Sequence, residues 1–560
     1  GLEFLGSYTG PILDFTLGMP IIRRIVELAK TEKLTSVADF IAARYGKNST
    51  VAMIVAIIAL VGAIPYIALQ LKAVSSSVAT MVDPGDYGIG SGNLYFLDLP
   101  LVVTIVMAGF AVMFGTRHTD ATEHQDGLIL AISMESLVKL VAMCTVGFYV
   151  LFVLFDGPAH LWQLASANEQ AMQAISYHTP VSRWIVMTLL SGFAIILLPR
   201  QFHVTVVENR TPEELRMAGF LLPLYLIAIN IFVLPIALAG ILTLGANGDA
   251  DLYVLQLPLN HQMPVVSLNI VMPIFLRQKL LNRSPHRDNF AKNLLNIRRT
   301  AIFAVMLLGY GYYRAADSAT GLASIGLLAF AAIAQMAPAL FGGLFWRRAN
   351  ARGAIAGLSS GFFVWAYLLF LPSFGGPDNS EVAANILGFL FSGSTVFNGP
   401  EADPFVNAVI LSLLVNSMAF VLGSLSRNPR PVERIQSGIF VKRHSKSQFA
   451  TRGWKTRVSV GDLKSAIARY LGEERMLRSL ATYEKTAGRK LNDDQPADMA
   501  LIHFSEQLLG SAIGSSSARL VLSIILQKAE DTSADTAWLR DQASEALQYN
   551  QDMLQTALAQ

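Results

Sequence analysis

The sequence predicts an all-α fold in two parts: a polytopic membrane domain, followed by a small water-soluble bundle of four helices. Apolar residues make up 53% of the 560 residues and charged residues only 15%, whereas soluble domains carry roughly 25% charge. About a quarter of residues 428–560 are charged, but only about an eighth of residues 1–427. This composition excludes collagen-like, disordered and disulfide-scaffold classes, and a net charge of +3 does not indicate a nucleic-acid partner.

The first 427 residues contain about 11 apolar segments, and a helix needs roughly 20 apolar residues to cross ~30 Å of hydrocarbon. The segment at 3–22 is interrupted by polar residues and a proline, and the segment at 264–276 is short. The other segments are long enough, or nearly so, and lie at 51–81, 98–115, 127–155, 181–198, 217–244, 299–316, 320–345, 353–372 and 404–426.

The loops between these segments alternate in charge, as the positive-inside rule requires of a multi-pass membrane protein. The loops at 245–262 and 373–403 carry acids and no Lys or Arg. This topology requires the segment at 264–276 to cross despite its length. We therefore expect these parts of the chain in the cytoplasm: 23–50, 116–126, 199–216, 277–298, 346–352 and 427–560.

Polar groups inside apolar segments mark candidate sites, because they are expensive in hydrocarbon. Pro65 interrupts the hydrogen-bond ladder of its helix, and Tyr66 and Gln70 follow it. These residues indicate either a substrate or ion pathway or a packing kink. Glu135 and Lys139 are four residues apart, which predicts an intramembrane ion pair with either a structural or a coupling role.

The charged end of the chain has two predicted parts. Residues 428–457 hold eight Lys or Arg against one Glu, which predicts a basic linker attracted to anionic headgroups. Residues 458–560 show four amphipathic patterns, and the last has no terminator before Gln560, so we expect it to continue into a downstream module. No ATP-binding motif is visible, and His503 lacks a phospho-acceptor context. We therefore predict no catalytic residue and no enzyme activity for this chain.

Four stretches go beyond composition: LTSVADFIAARYG at 34–46, FGTRHTDATEH at 114–124, LPRQFHVTVVEN at 198–209 and APALFGGLFWRR at 337–348. Together they resemble the sodium:solute symporter family, over residues 1 to about 427. The middle two are more narrowly similar to the bacterial subgroup fused to sensor histidine kinases, and residues 458–560 resemble the helical STAC domain of those sensors.

The resemblance implies a LeuT-like bundle of inverted repeats with discontinuous helices and a midplane binding site. Residues 3–22 would be the second core helix, so the first is expected to be missing, and 264–276 would be a shortened eighth. The family holds its coupling Na⁺ between the first and eighth core helices. Only Ser267 and Asn269 lie on the retained end of the eighth, so they are pathway candidates, and no Na⁺ ligand or other cofactor is assigned.

Two predicted cytoplasmic segments within the resembling stretches carry further candidates. They are interpreted either as a gate or as helix caps and loop salt bridges. The spacing of the histidines in the first segment is unspecific, so no metal site is predicted. The candidates are Arg117, His118, Asp120, Arg200, Gln201 and His203.

Together these features predict the transporter-like sensory input region of a two-component histidine kinase in the bacterial inner membrane. It would bind or transport a small organic solute, such as an amino acid, and relay its state to a downstream kinase module or response regulator. The alternative is a sodium-coupled symporter with a regulatory cytoplasmic tail. The expected partners are the solute, the lipid bilayer and the downstream module, with no nucleic acid.

Overall fold

The structure is a computed structural model. Its described residues are almost entirely helical, with two short two-stranded antiparallel sheets. The residues that the structure describes are 3–82, 93–94, 97–115, 126–176, 179–209, 211–245, 248–260, 289–316, 322–374, 380–390, 403–441, 455–487, 491–493, 495–513, 518 and 521–522.

The membrane part contributes twenty described helices. Polar side chains cap the N-terminal ends of several of these helices. Ser36 accepts a hydrogen bond from the backbone NH of Asp39, and Thr211 forms a capping box with Glu214. The first ten helices are α1 (Phe4–Thr16), α2 (Met19–Thr31), α3 (Val37–Arg44), α4 (Ser49–Val82), α5 (Leu99–Gly115), α6 (Asp126–Tyr149), α7 (Pro158–Ala167), α8 (Glu169–Ser176), α9 (Val181–Leu197) and α10 (Pro199–Phe202).

Some of these helices extend into π-helical turns, at Val150–Leu154 after α6 and at His203–Val207 after α10. A third such turn lies at Ala366–Phe370. The remaining ten helices of this part are α11 (Pro212–Asn230), α12 (Val233–Leu244), α13 (Tyr253–Asn260), α14 (Asn289–Ala315), α15 (Leu322–Ala334), α16 (Ala337–Phe345), α17 (Ala351–Trp365), α18 (Ser380–Leu390), α19 (Pro404–Leu425) and α20 (Pro431–Val441).

The chain is a polytopic membrane protein. Within the described ranges, six helical segments are long and apolar enough to cross a bilayer, and α8 with α9 would add a seventh if this bent pair is one span. Large apolar side chains cover the outer faces of these helices; on α4, Met53, Ile57 and Leu60 are all more than 40% exposed. A soluble protein does not leave such faces uncovered. The short segment 264–276 lies outside the described residues.

Helices α1, α9 and α19 run in the same direction. At their N-terminal ends Arg183 of α9 contacts both Glu3, just before α1, and Asp403, the N-cap of α19, at 2.6 Å each. At the other end lie the basic loops, and we call that side the basic face. The largest buried cluster lies towards this face, where Phe40 packs edge-on against Phe202 and Phe440.

Helices α17 and α19 pack closely along a row of glycines. A Cβ atom on Gly357 or Gly361 would lie under 3.0 Å from Asn416, and one on Gly353 would lie 2.0 Å from Ser424 Oγ. The small-residue spacing in α17 therefore serves close helix contact. The span formed by α15 and α16 is interrupted at Gln335 and Met336, which lack regular α-helical geometry.

The C-terminal part differs from the predicted linker and bundle. Within 428–457, α20 is packed into the membrane part, because Phe440 is fully buried and Glu433 is 3% exposed. After it, a separate hydrophobic cluster joins helices and one two-stranded sheet, while the predicted fourth helix lies outside the described residues. The elements are β3 (Lys455–Ser459), α21 (Val460–Leu471), α22 (Glu473–Ala487), β4 (Pro496–Asp498) and α23 (Met499–Ile513). The other sheet pairs β1 (Asn93–Leu94) with β2 (Leu97–Asp98).

Candidate functional site

Helices α1 and α9 meet in a close seam lined by small residues. Gly6 and Gly10 are buried on α1, and a Cβ atom on Gly10 would lie 2.2 Å from Ser191 Oγ and 2.5 Å from Gly192 N. Ser191 Oγ also donates a hydrogen bond to the carbonyl of Gly6 at 3.3 Å. Only glycine allows the two backbones to come this close, so the seam is a defined contact between two helices.

Asp14 continues the same face of α1, four residues beyond Gly10. Its Oδ2 atom is buried and has no hydrogen-bond partner among the described residues. This oxygen lies against α9, 3.2 Å from the point that a Cβ atom on Gly192 would occupy. One turn from Gly192 on α9, the hydroxyl of Thr188 is also buried without a hydrogen-bond partner in the described part of the chain. An ionisable group in this position is a candidate functional group.

A second buried polar cluster lies at the break between α15 and α16. Gln335 is fully buried; its Nε2 donates to Ser412 Oγ at 3.0 Å, and both its oxygens accept from Asn416 Nδ2, at 2.8 and 3.0 Å. The backbone NH groups of Gln335 and Met336 bond three residues back, to Ala332 and Ile333. Broken helices in a membrane protein are tolerated where such neighbours satisfy the backbone.

The residues predicted to form a substrate or ion pathway and an intramembrane ion pair lie away from these two buried clusters. Tyr66 is half-buried and Gln70 is exposed on α4. Lys139 Nζ lies 2.6 Å from Glu135 Oε1, but the two side chains are 64% and 52% exposed on the outer face of α6. These positions place none of the four side chains in the buried clusters described above.

The predicted gate residues are only partly described. Arg200 is exposed and Gln201 half-buried, while His203 Nε2 lies 3.1 Å from Glu208 Oε1. Among the described residues, no group of three or more His, Cys, Asp or Glu side chains could hold a metal ion. The remaining candidates lie outside the described residues: Arg117, His118, Asp120, Ser267 and Asn269.

Three of the four stretches that resemble the symporter family meet at the basic face, namely 34–46, 198–209 and 337–348. Arg44 is 1% exposed and donates to the carbonyls of Gly343 at 2.7 Å and Trp346 at 2.9 Å, at the C-terminal end of α16. Tyr45 donates to the carbonyl of Ala339 at 2.6 Å. Because Phe40 packs on Phe202, the third stretch joins the same core. These motifs hold the basic face together; the structure gives them a scaffolding role.

The C-terminal part docks on this scaffold through α23. Lys47 Nζ forms a nearly buried salt bridge with Glu506 Oε1 at 2.8 Å, and Lys33 Nζ lies 4.8 Å from the ring centre of Phe504. Gln507 donates to the carbonyl of Thr31, the last residue of α2. We call this contact the docking interface.

The two lysines of the docking interface share an unusual backbone conformation. Lys33 and Lys47 have φ angles of 53° and 56°, and they are the positive-φ residues other than glycine in the described chain. Such a conformation costs roughly 1–2 kcal/mol per residue and is retained where surrounding contacts fix it. Burial, followed by the nearby Arg475 guanidinium, lowers the pKa of Lys33. The turns on both sides of α3 are therefore shaped to meet α23.

The buried polar groups and the docking interface were not predicted from the sequence. Asp14 follows Gly6 and Gly10 at four-residue intervals, and this Gly-x-x-x-Gly-x-x-x-Asp pattern on one helical face was an available signal. Ser412 and Asn416 are likewise four residues apart inside an apolar helix. No local signal pointed to the docking interface, because its partners are distant in the sequence.

No protein-family model matches the chain. It is 22% identical over 435 residues to the uncharacterized symporter YhjB of Bacillus subtilis, covering 74% of this chain and 81% of that protein. It is also 22% identical over 372 residues to the uncharacterized symporter YodF of the same organism, covering 63% of this chain and 71% of that protein. With its apolar helices, this distant similarity makes the chain a transporter-like, multi-pass membrane protein.

Proposed function

We propose that this chain is a symporter-like solute sensor whose soluble helical part reports the state of the membrane part to a downstream histidine kinase or response regulator. The observation that supports it most is the docking interface. The salt bridge of Lys47 with Glu506 is nearly buried, since the two side chains are 6% and 19% exposed. Breaking a buried pair of this kind leaves an uncompensated charge, so the contact is sensitive to small movements.

The docking interface lies where alternating access would move the helix ends. Transporters of the inverted-repeat type rock one helix bundle against the other, which moves helix ends at the membrane surface. Lys33 follows α2, which continues from α1 after a short turn, so a shift of α1 against α9 reaches the contact with Phe504 directly. The proposal places this face in the cytoplasm of a bacterial inner membrane, as the basic loops favour.

The proposed ligand is a small organic solute such as an amino acid. In transporters of the inverted-repeat type, such polar molecules bind near the midplane beside interrupted helices, and the span formed by α15 and α16 is interrupted. A solute changes the output only if it binds two states of the membrane part with different affinity. Na⁺ would be the coupling ion by family resemblance, with no ligand assigned to it.

The test is hydrogen exchange of the full chain in lipid nanodiscs, with and without each member of an amino-acid panel. We expect at least one solute to change exchange in α23 and in the turn containing Lys33. Lys47→Met should abolish the change in α23, whereas Arg478→Met, which removes an exposed pair with Glu474, should leave it intact. A solute that binds and alters exchange only within the membrane part would contradict the proposed relay.

The second candidate is a sodium-coupled symporter with a regulatory tail. It is favoured by both relatives, which are named as symporters. Sodium-driven uptake in proteoliposomes that is unchanged by removing residues 455–560 would support it over the sensor. The truncation has to begin after Val441, because α20 is part of the buried core around Phe440.

A further inference from the structure

Asp14 lies in the last turn of α1, on the face that packs against α9. It is eleven residues beyond Glu3, which joins the ion cluster with Arg183, and nine residues before Arg23 near the basic face. At 1.5 Å per helical residue, Asp14 is about 16 Å from Glu3 along α1. A carboxylate with a buried oxygen is costly unless a cation or a hydrogen bond compensates its charge.

The described side chains around Asp14 supply no such cation. On α9 the facing residues are uncharged, namely Thr188, Ser191 and Gly192. Helix α11 packs on the other side of α1, because a Cβ atom on Gly219 would lie 3.2 Å from the carbonyl oxygen of Phe15. Phe15 is near the end of α1 and Gly219 is in the first half of α11, so the start of α11 lies towards the basic face. The charged groups of the elements packed against α1 lie towards its two ends: Arg183 on α9 at its start, and at its other end Glu213, Glu214 and Arg216 on α11 with Arg23, Arg24, Glu27 and Lys30 on α2.

We propose that Asp14 is a proton-binding site in the seam between α1 and α9. When the seam is open to water, the carboxylate takes a proton from hydronium, forms an O–H bond and releases a water molecule; the closed seam retains the proton, and reopening returns it to water. A proton suits the geometry better than a metal cation, because Gly192 Cα adjoins the buried Oδ2 atom and a proton needs no ligand cage. The link to solute movement rests on the proposed function, whereas proton binding itself does not.

The test is an infrared titration of the full chain in lipid nanodiscs from acidic to alkaline pH, without added solute. We expect a protonated-carboxyl band that persists to higher pH than the bands of exposed acids. Asp14→Asn should lose this band, and Asp14→Glu should restore one at a shifted frequency. The matched control is Asp156→Asn, since the side chain of Asp156 is 98% exposed and its removal should leave the band unchanged.

A second variant keeps the carboxyl group in place. Gly192→Ala would bring a methyl group to 3.2 Å from Asp14 Oδ2, so the titration midpoint of the band should shift without loss of its area. A spectrum of Asp14→Asn that matches the wild type, or a midpoint unmoved by Gly192→Ala, would overturn the proposal. Neither result depends on a solute or on the docking interface, so failure here is distinguishable from failure of the proposed function.

Discussion

Replacing Gly10 by alanine tests the closeness of the seam between α1 and α9. The added Cβ atom would lie 2.2 Å from Ser191 Oγ, 2.4 Å from the carbonyl oxygen of Thr188 and 2.5 Å from the backbone nitrogen of Gly192. Two of these three atoms belong to the backbone of α9 and cannot rotate away. The helices must therefore separate, or α1 must bend.

Two opposing effects set the expected magnitude. Alanine is more favourable than glycine inside a helix by about 1 kcal/mol, whereas forcing an extra methyl group into a packed interior costs about 1–3 kcal/mol. We expect Gly10→Ala to destabilise the protein by up to about 2 kcal/mol in total. Gly109→Ala is the matched control in α5, because its Cβ atom meets nothing within 4 Å. It should be neutral or stabilising by up to about 1 kcal/mol.

The assay is unfolding of the purified protein in detergent, monitored by circular dichroism, for both variants. Gly6→Ala should fall between them, because its nearest contact is Met187 Cβ at 3.3 Å. Adding Ser191→Ala should rescue Gly10→Ala only slightly, since the two backbone contacts remain. Equal stability of Gly10→Ala and Gly109→Ala would refute the close seam.

Three further substitutions test the polar contacts. Arg44→Lys cannot reach both carbonyls that the guanidinium bonds, so thermal unfolding should show a loss of about 1.5–3 kcal/mol, while a wild-type midpoint would argue against the scaffold. Gln335→Met removes the side-chain bonds to Ser412 and Asn416 and should destabilise by about 1–3 kcal/mol in the same assay; no change would mean that water replaces them. Arg183→Met should cost about 1 kcal/mol at low salt and less at high salt, and a salt-independent effect would contradict an ion cluster.

Hydropathy predicted the membrane part well, because a bilayer imposes length and polarity on each helix separately. The runs at 51–81 and 404–426 became α4 and α19 with nearly the predicted bounds. The charge count of 428–457 concealed α20, in which the one basic residue, Arg434, is exposed while Phe440 and Glu433 are buried. A helix with one buried face follows its apolar period even inside a basic strip.

The buried polar groups and the docking interface are harder to predict because they depend on contacts between distant parts of the chain. Lys47 and Glu506 are 459 residues apart in the sequence, and each would pass for an ordinary surface residue by itself. Asp14 interrupted a predicted span, and only the position of α9 shows that its oxygen is buried against Gly192.

The most direct test of the account is a charge-reversal cycle at the docking interface, measured by hydrogen exchange of α23 in the full chain. Breaking a nearly buried ion pair costs about 3–5 kcal/mol, so Lys47→Glu and Glu506→Lys should each raise exchange in α23 at least tenfold. The double variant should restore most of the protection, because the pair is rebuilt with opposite polarity. Wild-type exchange in both single variants would contradict the claim that the membrane part holds the soluble part through this contact.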